Sequence, residues 1–216
     1  MRAKTAARLV REASGSEMTS PLILASRSRS RADLLRQAGV EIEIAPALVD
    51  ETAVKAGMAA EGAAARDVAD TLAEFKARRV SAREPGRVVL GADQVLVCEG
   101  RMLDKPQDLA EAREHLAFLR GKTHELLSAA VIYELGAPVW RHVGRAQMMA
   151  RPFSDGFLDD YIAGQGDALL DTVGAYRLEA GGAQLFTRVQ GDYFSVLGLP
   201  LLEVLGFLRT RGLCRE

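Results

Sequence analysis

The chain has 216 residues, 48% apolar and 26% charged, which excludes a low-complexity or disordered chain and leaves enough apolar material for a sizeable core. Its 28 basic and 29 acidic residues leave a formal net charge of -1, so no global positive field marks a duplex-binding protein and any anion site must be local. Two cysteines, Cys98 and Cys214, far apart and without a second pair, imply no disulfide framework and fit reduced thiols in the cytoplasm, and no segment reaches the apolar length of a membrane span.

Residues 1–18 are basic and alanine-rich, with Arg2, Lys4, Arg8 and Arg11, and lack the continuous apolar stretch of a secretory signal. They read as a mobile extension, with Met18 as an alternative start. Leu22 to Ala25 reads as a short strand, followed by the polar run Ser26-Arg27-Ser28-Arg29-Ser30-Arg31 and a helix carrying Leu34, Leu35 and Ala38 up to Gly39. Three hydroxyls and three guanidinium groups between a strand and a helix N-terminus suit a phosphate, because unpaired N–H groups and the helix dipole favour an anion there. A solvated basic loop, with Ser28 or Ser30 capping the helix, is the alternative.

Val40 to Ala45 alternates like a half-exposed strand closed by Pro46, and Asp50 and Glu51 read as loop residues. From about Ala59 to Val80 the spacing of Ala65, Val68, Leu72 and Phe75 predicts a helix. Lys76 stands on the margin of its apolar stripe, where a snorkelling lysine is common. In Val88 to Val97, VVLGADQVLV, the glycine and alanine before Asp93 remove bulk, so Asp93 is expected at a break in an apolar strand. A site carboxylate and a turn carboxylate both fit that reading.

Asp104, Lys105 and Pro106 follow, then a helix opening at Asp108 with Glu111 three residues on, and ending at Gly121. A long β region spans about His124 to Met149 with a turn near Gly136, Ala137 and Pro138. A helix capped by Ser154 runs to Gly164, glycine-bearing segments surround Tyr176 and Tyr193, and the last helix starts at Pro200. Alternating strands and helices predict an α/β fold, a mixed twisted sheet with flanking helices. Residues 19–216 read as one domain of two lobes around a central cleft, with a change of character near residue 122. His115, His124 and His142 lack zinc-ligand spacing, with His124 read as structural, and no Walker A, GxGxxG or GxSxG motif occurs.

Several segments in order, LILASRSRSRADLLRQAGV, Val49 to Glu51, GADQV, Asp104 to Pro106, RGKTHE, GAYRLEAGG and GDYFSVLGLPL, resemble the Maf family of nucleoside triphosphate pyrophosphatases. The resemblance spans about residues 21 to 212 and implies a Maf/ITPase-like fold. It implies a cytoplasmic, homodimeric enzyme of nucleotide pools that hydrolyses a nucleoside triphosphate to monophosphate and pyrophosphate with Mg²⁺ or Mn²⁺. The near-neutral charge and the lack of a long apolar segment lead to the expectation of no stable nucleic-acid complex and no membrane association. The acid of the GAD motif, here Asp93, would be the general base. Ser26, Arg31, Lys76 and Lys105 match phosphate-contacting positions, and Glu51 matches an acidic position that with Asp93 could hold the metal.

Three departures stand out. The usual ASxSPRR has Arg29 for proline and Ser30 for its first arginine, with Arg29 a candidate substitute. GKP reads DKP, placing Asp104 where it could neutralise Lys105. Gln94 and Glu179 replace the threonine and glutamine of members acting on dTTP and UTP, and look more like the branch acting on 7-methyl-GTP, where a carboxylate could accept from guanine N–H groups. Gln94 and Glu179 are therefore expected to read the base. The competing reading is a catalytically weak nucleotide-binding regulator of division or stress, suggested by the altered SRSRSR loop.

Overall fold

The computed structural model describes residues 20–214, so the N-terminal extension and the Met18 start lie outside the described residues. A seven-stranded sheet organises the chain: β1 Leu22–Leu24, β2 Ile42–Ile44, β3 Val89–Cys98, β4 Arg101–Leu103, β5 Thr123–Glu134, β6 Ala137–Ala150 and β7 Phe186–Gln190. The strand order is β2-β1-β3-β5-β6-β7, with β4 pairing β3 off that path. β1 runs parallel to β2 and β3, and the remaining pairs are antiparallel, which makes the sheet mixed as the alternation of elements predicts.

Helices cover both faces: α1 Arg29–Gln37, α2 Glu51–Ala60, α3 Ala65–Ser81, α4 Leu109–Leu119, α5 Asp155–Gln165, the four-residue α6 Tyr193–Val196 and α7 Leu201–Thr210. Side chains alternate across β3. Val89 and Val95 pack with Val68, Leu72, Ala73, Ala77 and Val80 of α3. Leu90 and Ala92 pack on the other face with Leu34 and Leu35 of α1 and Val204 and Leu208 of α7. A third apolar group joins Leu96 of β3 to Leu116 of α4, Leu158 of α5 and Tyr176. Each fully buried aliphatic side chain contributes about 1.5–3 kcal/mol, so the three groups fix β3 from both sides.

Three expectations change. β3 has no break at Asp93: its register with β5 runs without interruption from Val89↔Tyr133 to Val97↔Glu125. Gly91 serves a different need, because a Cβ there would meet Ala77 N at 2.6 Å and Ala77 Cβ at 2.8 Å. The missing side chain lets α3 lie directly on β3. Asp50 and Glu51 are not loop residues: Asp50 caps α2 by accepting from Ala53 N at 3.0 Å, and Glu51 is its first residue. The helix expected from about Ala59 starts at Ala65, and Gly62 at φ +70° separates it from α2, which the sequence reading did not expect.

Other boundaries follow from their caps. Asp108 accepts from Glu111 N at 2.8 Å, while Glu111 reaches back to Gln107 N at 2.7 Å, one residue beyond the usual capping box. Ser154 caps α5 by accepting from Phe157 N. Leu135 and Gly136, both at positive φ, turn β5 into β6 as a two-residue hairpin loop. Among the described residues no helix is long and apolar enough to cross a membrane.

Candidate active site

A cleft of about 960 Å³ opens beside β3. Ser26, Arg31, Glu51, Lys76, Asp93, Gln94, Lys105 and Glu179 all line it, so residues expected from distant segments come together. Its centre is Lys76. The close approach of α3 to β3 at Gly91 brings the Lys76 ammonium to 2.5 Å from Asp93 Oδ1, and Glu51 Oε1 at the start of α2 lies 2.7 Å from the same nitrogen. Lys76 and Asp93 are both buried, which removes Lys76 from the snorkelling class and Asp93 from the turn class. Burial is the largest influence on Glu51 and pushes its pKa up, but Lys76, with Lys55 and Arg31, overcomes it and holds the carboxyl below its usual range.

Arg31 is also buried. Its Nε donates to the Gly198 carbonyl at 2.8 Å, and its Nη1 donates to the Ala92 carbonyl at 3.0 Å and to Ser26 Oγ at 3.1 Å. Ser26 Oγ also accepts from Ser28 N at 3.2 Å, pinning the loop before α1. Ser28 is the helix cap. Desolvation lowers the Arg31 pKa, opposed by Asp93 and Glu51, and a guanidinium keeps its charge through such a shift. Arg29, the candidate substitute for the first arginine, is exposed and outside the cleft lining, whereas Arg27 lines it.

Lys105 stands in the loop after β4. Desolvation, then Arg31, lower its pKa, Asp171 and Glu51 raise it, and Lys76 lowers it further. Asp104 does not neutralise it: Asp104 pairs with Lys55 of α2 across the cleft mouth. Nothing in the spacing of the sequence marked Lys55.

The lining also includes the less polar side chains of Leu126, Val173, Tyr176 and Leu178 and the carboxylates of Asp171 and Glu179. Glu179 Oε1 accepts from Arg177 Nε at 3.1 Å. Tyr176 is placed by the turn before it, where Gly174 has φ +78° and a Cβ would meet Leu96 Cδ1 at 2.5 Å. The Tyr176 hydroxyl lies 2.8 Å from Nε2 of the buried His124. Burial pushes the His124 pKa down to about 4 and raises that of Tyr176 well above the phenol range, so both are neutral at pH 7.

Gln94 lines the cleft, but its amide nitrogen faces Ser128 Oγ and the Ser195 and Val196 carbonyls. Ser128, Ser195 and Gly198 carried no signal as single residues, although the last two lie in the GDYFSVLGLPL segment. Buried cations converge here with two carboxylates and less polar side chains, a chemistry suited to a polyanion attached to a flat, partly apolar group.

Comparison with known proteins agrees in extent with that geometry. The profile of the Maf-like protein family matches residues 21–211. Proteins named nucleoside triphosphate pyrophosphatase are similar along nearly their whole length. One from Ruegeria sp. is 49% identical over 92% of this chain and 100% of its own. Those from Roseobacter denitrificans and Granulibacter bethesdensis are each 52% identical, over 90% and 87% of this chain and 98% and 95% of their own. A crystal structure of a nucleoside-triphosphatase, dITP/XTP pyrophosphatase, from Mycobacterium abscessus aligns with 89% of this chain and 95% of its own at 17% identity and a TM-score of 0.41.

Proposed function

The chain belongs to the Maf-like protein family, and from that premise we propose that it is a nucleoside triphosphate pyrophosphatase that cleaves the α–β phosphoanhydride of its substrate, with Asp93 as general base. The observation that carries this reading is the Lys76 ammonium held between Asp93 and Glu51 in a cleft that Arg31 and Lys105 also line. Helices α1, α2 and α3, strand β3 and the loop after β4 deliver these groups to one place.

In the mechanism, the triphosphate enters against Arg31, Lys76 and Lys105, whose charge does more in a cleft of low dielectric than in water. Phosphate oxygens compete with Asp93 for the Lys76 ammonium. Once that ion pair opens, the Asp93 carboxylate is free to orient a water molecule and take its proton. The water oxygen bonds to the α-phosphorus as the bond from that phosphorus to the bridging oxygen breaks, and pyrophosphate leaves with the electron pair. Lys105 and Arg31 stabilise the charge that develops on the leaving oxygens.

The carboxylates fit a divalent cation of the Mg²⁺ or Mn²⁺ type. Glu51 and Asp93 both meet the Lys76 ammonium, and with that ammonium drawn to phosphate they would be the residues to hold the cation, since Mg²⁺ is commonly bound by one or two carboxylates with substrate phosphates completing its shell. Among the described residues no cluster of three or more His, Cys, Asp or Glu is placed to hold a metal ion. When bound, the cation would neutralise phosphate charge.

For the base, Glu179 beside Leu126, Val173, Tyr176 and Leu178 supports a guanine-type ring, with a carboxylate to accept from its N–H groups and apolar side chains to cover its face. A positively charged 7-methylguanine would gain further from Glu179 and Asp171. The assay that tests the activity supplies canonical and 7-methylated triphosphates with Mg²⁺ or Mn²⁺ and measures pyrophosphate. Release from at least one, with the guanine type preferred, is expected. Nucleotide binding without any release would favour the regulator reading instead.

A further inference from the structure

The Gln94 amide nitrogen lies 2.9 Å from Ser128 Oγ, 3.0 Å from the Ser195 carbonyl and 3.1 Å from the Val196 carbonyl. Its two hydrogens therefore meet three acceptors, all supplied by the fold. Ser128, directly opposite Gln94 in the β3/β5 register and fully buried, donates to the same Ser195 carbonyl at 2.7 Å. Gln94 and Ser128 together tie α6 to the middle of the sheet. Asp192 closes the other side of that turn by accepting from Ser195 N at 2.7 Å.

The far end of the turn is Gly198, whose carbonyl accepts from Arg31 Nε. Gly198 has φ +102°, a conformation that glycine adopts without strain. A Cβ on it would lie 3.5 Å from Arg31 Nε and 3.7 Å from Gln94 Oε1, so both side chains pack against this residue. Arg31 spends Nε on Gly198 and Nη1 on Ser26 and Ala92. Those two anchors fix the plane of the guanidinium, and the remaining Nη2 is the group left to a ligand in the cleft that Arg31 lines.

We infer that Gln94 is a positioning residue for Arg31: it holds the Asp192–Gly198 turn so that the Gly198 carbonyl orients the guanidinium toward the polyphosphate. The inference rests on the proposed role of Arg31 as a phosphate ligand. Successive residues of a strand point to opposite faces, which gives Gln94 a different task from Asp93 beside it. A side chain whose amide hydrogens are spent on the scaffold holds geometry, and a displaced cation loses binding to every substrate that shares the phosphates.

Inorganic tripolyphosphate separates the two roles, because it has phosphates and no base. Its affinity is measured by calorimetry with Mg²⁺ for the wild-type protein, Gln94→Met and Ser128→Ala, each below its melting transition, alongside the ranking of kcat/KM across nucleotide bases. We expect tripolyphosphate to bind about tenfold more weakly to Gln94→Met and about threefold more weakly to Ser128→Ala, the scale of one lost hydrogen bond or a part of one. Ser128 lies outside the cleft lining, so a role in reading the base predicts no effect of its loss. If Gln94→Met fails to fold, Ser128→Ala decides alone, and wild-type tripolyphosphate affinity in it would overturn the inference. A changed base ranking with unchanged tripolyphosphate affinity in Gln94→Met would also overturn it. Weakened tripolyphosphate binding in both variants of a protein that releases no pyrophosphate from any nucleotide would support the junction and remove the proposed activity.

Discussion

Lys76 and Asp93 meet with side chains only 9% and 6% exposed, and removing one partner of such a pair leaves the other charge buried and uncompensated. Lys76→Met should therefore destabilise the protein by about 3–5 kcal/mol in urea unfolding at pH 7, and Lys76→Met with Asp93→Asn should recover a large part of that loss. A double variant no more stable than the single one would show that the cost does not come from the stranded carboxylate. The Glu179 side chain is 30% exposed and paired with Arg177, so its substitution tests recognition with little effect on folding. Glu179→Gln should shift preference away from guanine-type substrates by about tenfold, read as the ratio of kcat/KM values, the scale of one charge-assisted hydrogen bond. An unchanged ratio would remove Glu179 from recognition. At this scale the sequence carried the residue types but not their partners. The motifs brought Asp93, Lys76 and Lys105 to attention, whereas the pairing of Asp104 with Lys55 depends on where α2 lies, which no spacing encodes.

The element that does most to build the site is the contact of α3 with β3. Gly91 permits it, and a methyl group there would press on backbone atoms of α3 that have no room to move, with Ala77 N at 2.6 Å. Gly91→Ala should cost about 1–3 kcal/mol or more by overpacking, seen as a lower urea midpoint. It should also lower turnover beyond any loss of folded protein, because the shift separates Lys76 from Asp93. Full activity in a folded Gly91→Ala protein would break the link between this packing and the site. Strand β3 and helices α4, α5 and α7 were legible because their periodicity and caps are local signals. The glycine in β3 was read as a strand break because a strand interruption and a close helix contact both call for a missing side chain. α2 was missed because Asp50 and Glu51 were read as loop residues, whereas Asp50 is the cap that starts it.

For the molecule as a whole, pH couples stability to the wall of the cleft through His124. Its folded pKa of about 4 lies below its unfolded value near 6.5, so at pH 7 both states are neutral there and the group costs nothing. As pH falls below 6.5 the unfolded chain takes up the proton first, and stability is lost until the folded protein protonates near pH 4. Between pH 7 and 5 the loss from this residue is about 2 kcal/mol, and His124→Asn should flatten that part of the profile in urea unfolding. An unchanged slope would mean that other groups set it. The mixed sheet and the order of its flanking helices were largely readable from the sequence, because they follow from local pattern and the rules of chain connection. The lining of the cleft was legible only through the family resemblance, because it comes from residues up to 173 positions apart, Ala25 to Gly198. The central claim is that Asp93 activates water at a bound triphosphate, and paired binding and turnover measurements on Asp93→Asn test it most directly. Nucleotide affinity within a few-fold of wild type with pyrophosphate release reduced about 10²- to 10⁴-fold is the expected result, and retained release at wild-type affinity would contradict it.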